Sequence, residues 1–318
     1  MAERMITMKR MISKKLLATM LGISLSISTA YATVAVAAPS PINTTSVEVK
    51  VDVQQTAVNW DKGSAADVTA LGIGLPPVNA GPRAIPLARR AAMVDAQRNL
   101  LEAVEGVQID SETLVRDMAV ESDVVKTQVH GLIKGARIIR EGSNPDGSYF
   151  VEMSIPLFGA TRSLAAAVLP AATKDIIPEP APVVDLRTTP LTKQEVKEIK
   201  SVAYTGVVID ATGLGMEATF SPVIYDVNGR AIYGMQNIDK NMAISKGMVE
   251  YSSNLQAATN GTTRAGSNPL VIRATAVKGG GNSVNPVNAV VSVEDGDRIL
   301  LANANADIFG NCAVVFVK

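Results

Sequence analysis

Residues that usually carry chemistry are scarce in this chain. Among its 318 residues there is one histidine, His130, one cysteine, Cys312, and one tryptophan, Trp60. A lone cysteine cannot close an internal disulfide. Cys312 opens the apolar run Cys312-Ala-Val-Val-Phe-Val317, where a free cysteine reads as a small buried hydrophobe. One histidine cannot build a His-rich zinc site, and a catalytic histidine would need a nucleophile and an orienting acid beside it. Aromatic residues make up 4% of the chain, too few to line a sugar-stacking cleft. These shortages predict no catalytic residue, no metal and no cofactor.

The amino-terminal segment is ordered like a secretory signal. Lys9, Arg10, Lys14 and Lys15 precede an uncharged stretch from Leu16 to Ser28, and small residues follow in pairs at Ala30 and Ala32 and at Ala35 and Ala37. Basic end, short apolar core and small-residue site are the three parts of a cleavable export signal, with Ala32 and Ala37 as the cleavage candidates. The apolar core falls short of the roughly 20 residues a membrane span needs, so no integral span is expected after cleavage. Removal of residues 1–37 leaves 25 Lys plus Arg against 29 Asp plus Glu. A mildly acidic chain without a basic cluster disfavours nucleic acid as a partner and a polybasic attachment to membranes.

The expected architecture is α+β in two small domains, each a mixed or antiparallel sheet with helices packed on it. Residues 38–169 form the first, 196–318 the second, and the proline-dense stretch 170–195 the linker, because five prolines between Pro170 and Pro190 forbid a continuous helix. In the first domain, alternating valines predict a strand over 47–53, and Asp67 to Gly74 a second. Ala88, Ala92, Ala96 and Leu100 recur every four residues and predict a helix from Pro86 to Glu105, whose small stripe would let it lie close on a sheet. A strand at 113–118, a helix at 122–131, a hairpin of 134–141 and 148–157 around Asn144-Pro-Asp-Gly147, and a helix at 161–169 complete it. The second domain reads as a strand at 203–211, an Asn228-Gly229 hairpin, a helix at 240–246, strands at 269–277, 289–293 and 312–317, and a helix at 295–304.

Few motifs survive inspection. Gly213-Leu-Gly215 after an apolar strand matches part of a dinucleotide fingerprint, but Pro222 and the hairpin leave no room for the helix that would face a pyrophosphate. Gly72-Ile-Gly74 is followed at once by Pro76 and Pro77. His130 reads as a residue near a helix end, placed to favour the dipole. Glu294, Asp295 and Asp297 lack calcium-loop spacing and read as first-turn acids of a helix. Asp110 and Glu112 read as a solvated turn. The remaining surface candidates are Asp210, Gly213 and Gly215, which could serve a small-ligand or glycan-binding module.

The run Arg89-Arg-Ala-Ala-Met-Val-Asp-Ala-Gln-Arg-Asn-Leu-Leu-Glu-Ala-Val-Glu-Gly-Val107, with Gly131-Leu-Ile-Lys-Gly-Ala136 and the Asp146-Gly147 hairpin, resembles the Lpp-twenty family of outer-membrane lipoproteins. The resemblance covers about Trp60 to Leu169, and the same domain type stands at the start of flagellar assembly protein T. It implies an exported, non-enzymatic envelope component, periplasmic or envelope-bound, acting through contacts with envelope proteins or a second copy of itself. Members of that family are lipidated on a cysteine after the signal, and this chain has none there. The alternatives from other classes are an envelope hydrolase built around His130 and a glycan or small-ligand binder.

Overall fold

The computed structural model describes residues 56–172, 181–279 and 284–318. Ala32, Ala37, the signal segment and the strand expected at 47–53 lie outside the described residues. The described residues fall in one compact unit, and their fold is α+β, with one antiparallel, one mixed and one parallel sheet of four strands each.

The first sheet runs β1-β2-β4-β3, all antiparallel. Its strands are β1 (Thr56–Asn59), β2 (Asp67–Gly74), β3 (Arg137–Ser143) and β4 (Tyr149–Pro156). Helix α1 (Ala84–Glu105) lies across it, burying Ala88, Ala92, Ala96, Leu100 and Val104. The alanine stripe and two glycines make this approach close. A Cβ on Gly72 would sit 2.1 Å from the Ala96 amide nitrogen, and one on Gly74 2.0 Å from the Ala88 carbonyl oxygen. Side chains of α1 also bond the backbone of β2. The Ile73 amide donates to Asp95 at 2.9 Å and the Asn99 amide group donates to the Leu71 carbonyl at 2.8 Å.

Two shorter helices follow, α2 (Val115–Glu121) and α3 (Asp123–Lys134), and then α4 (Leu164–Ala172) after the hairpin. The strand expected at 113–118 is therefore helical from Val115. The Asp117 carboxylate reaches back to the Leu114 amide at 2.9 Å, closing the helix start, and Val115 and Met118 share its buried side. The helix expected from Thr161 begins instead at Leu164. Arg162 holds a positive φ of 53°, and the Ser163 hydroxyl accepts from the Ala166 amide at 3.1 Å, as a cap does.

In the proline-dense stretch, residues 173–180 lie outside the described residues. Its end is ordered by helix α5 (Lys193–Ser201), where Thr192 and Glu195 form a capping box. Leu191 and Ile199 pack on Leu301.

The carboxyl-terminal half carries β5 (Gly206–Asp210), β6 (Ile224–Asp226), β7 (Ala231–Tyr233), α6 (Lys240–Lys246), β8 (Glu250–Ser252) and α7 (Leu255–Thr259). After these come β9 (Pro269–Arg273), β10 (Ala276–Lys278), β11 (Asn288–Val291), α8 (Val293–Ala306) and β12 (Val314–Val317). Strands β8-β12-β5-β9 are all parallel, and β10-β11-β6-β7 are mixed. The single strand expected at 269–277 is two. At Ala274 the chain leaves one sheet for the other, with the Ala274 amide bonded to Asp210 and the Thr275 amide to Val290.

One apolar core runs through both halves. At the joint, Trp60 and Phe158 from the first half meet Phe220 and Tyr251 from the second. Trp60 lies edge-on to Phe220 at 5.2 Å, to Tyr251 at 5.8 Å and to Phe158 at 6.1 Å between centroids. Edge-to-face pairs at these separations are the favoured aromatic geometry. Backbone bonds reinforce the joint: the Phe220 and Ser221 amides donate to Gln108 and Ile109, and the Gly159 amide donates to Ile244. Trp60 is thus a packing residue and is not presented as a sugar-stacking surface.

Candidate functional site

The candidates read from the sequence are placed apart from one another, and each is accounted for locally. Asp210 ends β5. Its carboxylate accepts from the Thr212 amide at 3.0 Å and pairs with Arg273 at 2.9 Å. Burial pushes the carboxyl up, but the hydrogen bonds from Thr212 and Arg273 and the Arg273 charge outweigh it, leaving the group below its usual value. Gly213 and Gly215 sit in the turn that follows, at φ 76° and 72°, with open space where a Cβ would be. That conformation is what these two glycines supply. No helix starts there, so the fingerprint reading has no dipole to offer a phosphate.

His130 is exposed on α3, four residues before its end. Asp110 closes a turn by accepting from the Glu112 and Thr113 amides. Among the described residues, no group of three or more His, Cys, Asp or Glu side chains is placed to hold a metal. No helix among them is long and apolar enough to cross a membrane. Cys312 is buried, and burial raises its thiol above the ordinary value against the smaller opposing pull of Arg264 and Tyr233.

Asp297 departs from its expected role. Ser292 caps α8 and accepts from the Asp295 amide, whereas Asp297 lies inside, 3% exposed, in a charged cluster. Arg230 bonds Asp297 at 2.7 Å and Asp226 at 2.9 Å, and Asp226 also accepts from the Asn228 and Arg230 amides. The Thr189 hydroxyl donates to the other Asp297 oxygen. Burial pulls the Arg230 guanidinium down, and the two carboxylates more than offset this, so it stays above its ordinary value. All charges are paired, which marks a clamp that ties the Asn228-Gly229 turn, α8 and residue 189 together.

Two surface features have no such internal explanation. One is the loop joining β2 to α1 and the first turn of that helix. Leu75 is 73% exposed and Val78 89%, and Ile73, Ile85 and Leu87 are exposed beside them. The other is a groove of about 850 Å³ between α3, α4 and the opposite end of β2, a volume within the usual range of ligand sites. Its walls include Gly131, Leu132, Ile155, Ala166 and Ala167, and its polar residues include Asp67, Arg137 and Arg162. Neither arginine stands out in the sequence, because the groove joins residues up to a hundred positions apart.

Residues 206–318 match a protein family described as the second domain of Treponema pallidum Tp0624. The match begins on the first residue of β5 and takes in the parallel and mixed sheets. None of the curated proteins matches the chain.

Proposed function

We infer that this is an exported, non-enzymatic component of the cell envelope that works by binding another envelope protein or a second copy of itself, with flagellar assembly as one setting. The signal-like amino terminus and the Lpp-twenty resemblance of residues 60–169 support the envelope. The similarity of residues 206–318 to a domain of Tp0624 adds a relative from a bacterium.

The observation that carries the reading is the apolar loop. Leu75 and Val78 stand in solvent in the loop, and Ile73 before it and Ile85 and Leu87 in the first turn of α1 are exposed as well. Scattered apolar surface residues need no explanation, but a grouped set at one loop marks an interaction surface. The two ends of the loop are fixed close together, since Gly74 packs against the Ala88 carbonyl of α1 and that helix follows the loop. A preorganised surface loses less entropy on docking.

The test is a photo-crosslinking residue at position 78 in cells, with intact mass and fractionation of the recovered protein. A mass starting after Ala32 or Ala37 and one recurrent adduct, lost in a Leu75→Asp/Val78→Asp variant of unchanged melting temperature, is the expected result. A chain that stays in the cytoplasm, or one that forms no adduct, would overturn the proposal.

A further inference from the structure

We propose that the groove between α3, α4 and the sheet binds a single-chain amphiphile with an anionic head, its acyl chain along the apolar walls and its carboxylate or phosphate on Arg137 and Arg162.

The walls are small and apolar by construction. Gly131 lies in the last turn of α3 and Gly135 caps that helix, and with Ala166 and Ala167 of α4 they keep this part of the wall free of bulky side chains. A Cβ on Gly131 would meet no atom within 4 Å. Leu132 and Ile155 add larger apolar surface. An open groove lined this way gains by admitting an alkyl chain, because apolar area leaves water on both sides.

The head-group preference follows from the charges. Asp67 is the one acid of the lining, and its oxygens are already taken: Asn59 and Lys62 donate to one at 2.8 and 2.7 Å, and Ser154 to the other at 2.9 Å. The nearby hairpin acids are also engaged. Glu141 pairs with Arg89 and Glu152 with Arg140. Among the described residues, Arg137 and Arg162 are left without an ion pair, and both line the same groove. Guanidinium forks suit carboxylate and phosphate oxygens in pairs. An uncharged or cationic amphiphile would leave the arginines unanswered.

This site is independent of the apolar loop. The groove includes Asp67 and the loop follows Gly74, at opposite ends of β2 and roughly 23 Å apart at strand rise. Failure of one reading therefore leaves the other standing.

The experiment is displacement of a fluorescent fatty acid from the purified mature chain, comparing myristate, lysophosphatidylglycerol and tetradecanol. Two anionic competitors distinguish a fatty acid from a phospholipid source, and the alcohol isolates the charge. Saturable one-to-one binding of at least one anion is expected, with tetradecanol roughly tenfold weaker and an Arg137→Gln/Arg162→Gln double variant weaker by a similar factor. Gly131→Leu, which fills the groove without a backbone penalty, should abolish binding while the melting temperature is kept. No binding of either anion, or binding indifferent to Gly131→Leu or to the arginine substitutions, would overturn the proposal.

Discussion

Replacing Arg230 with methionine tests the account of the buried clamp. The side chain of Arg230 is 32% exposed, whereas those of Asp226 and Asp297 are 2% and 3% exposed. Removal of the cation leaves two carboxylates inside the protein without their counter-charge. Breaking a buried pair costs about 3 to 5 kcal/mol. Here Asp226 keeps two backbone donors and Asp297 keeps Thr189, so the low end, about 3 kcal/mol, is the better figure. At about 2 to 4 °C per kcal/mol for a unit of this size, the melting temperature should fall by roughly 6 to 12 °C. Trp60, the sole tryptophan, reports the joint between the halves by fluorescence, and far-ultraviolet circular dichroism reports the whole fold. Both should shift together, since one core runs through residues on both sides of the joint. Arg230→Lys, which supplies a charge without the fork, should fall between. A methionine variant that melts with the parent would refute the view that the cluster holds these carboxylates in place.

The glycines under α1 give a second test. Gly72→Ala forces a methyl to within 2.1 Å of helix backbone, and should cost about 3 kcal/mol in urea unfolding, because a helix cannot yield as a side-chain tip can. Gly131→Ala has the opposite sign. It lies inside α3 with free space around it, and should stabilise by about 0.5 to 1 kcal/mol through helix propensity alone. Cys312 should resist a thiol reagent in the folded protein at pH 8. Burial raises its thiol above the ordinary value, so the thiolate fraction there falls below that of a free cysteine. Labelling at least about a hundredfold slower than in urea is expected from the shielding.

What could be read from the sequence was what repeats over short distances. The four-residue spacing of Ala88, Ala92, Ala96 and Leu100 marks α1, and all four are buried. The Asn228-Gly229 pair marks the β6–β7 turn, with Gly229 at φ 83°. Strand β2 and helix α6 keep the bounds read for them; Pro76 and Pro77 follow the strand, and Asp239 caps the helix start. The 113–118 segment misled because Val115 and Met118 suit a strand as well as a helix, and only the Asp117 reach-back decides. Helix α5 was hidden by its proline-rich surroundings, although Thr192 and Glu195 carry the capping-box spacing. Asp297 looked like a first-turn acid because its partner Arg230 lies 67 positions away.

The joint and the groove share a reason for being illegible. Trp60 meets Phe220 across 160 positions, and Ala65, Arg137 and Arg162 come to one groove from three separate parts of the chain. Neither has a period, so neither leaves a local trace. The same distances explain how the molecule divides its work. The clamp and the aromatic joint place paired charges and large rings inside, where each contact is answered by another. The apolar loop and the two groove arginines, which form no ion pair among the described residues, both belong to the first half. The second half, braced by a parallel sheet and by Arg230 between its two carboxylates, supports that half through Phe220 and Tyr251. Substitutions at the joint should therefore disturb loop and groove together, although roughly 23 Å of β2 separates them, whereas Leu75→Asp should change the loop alone.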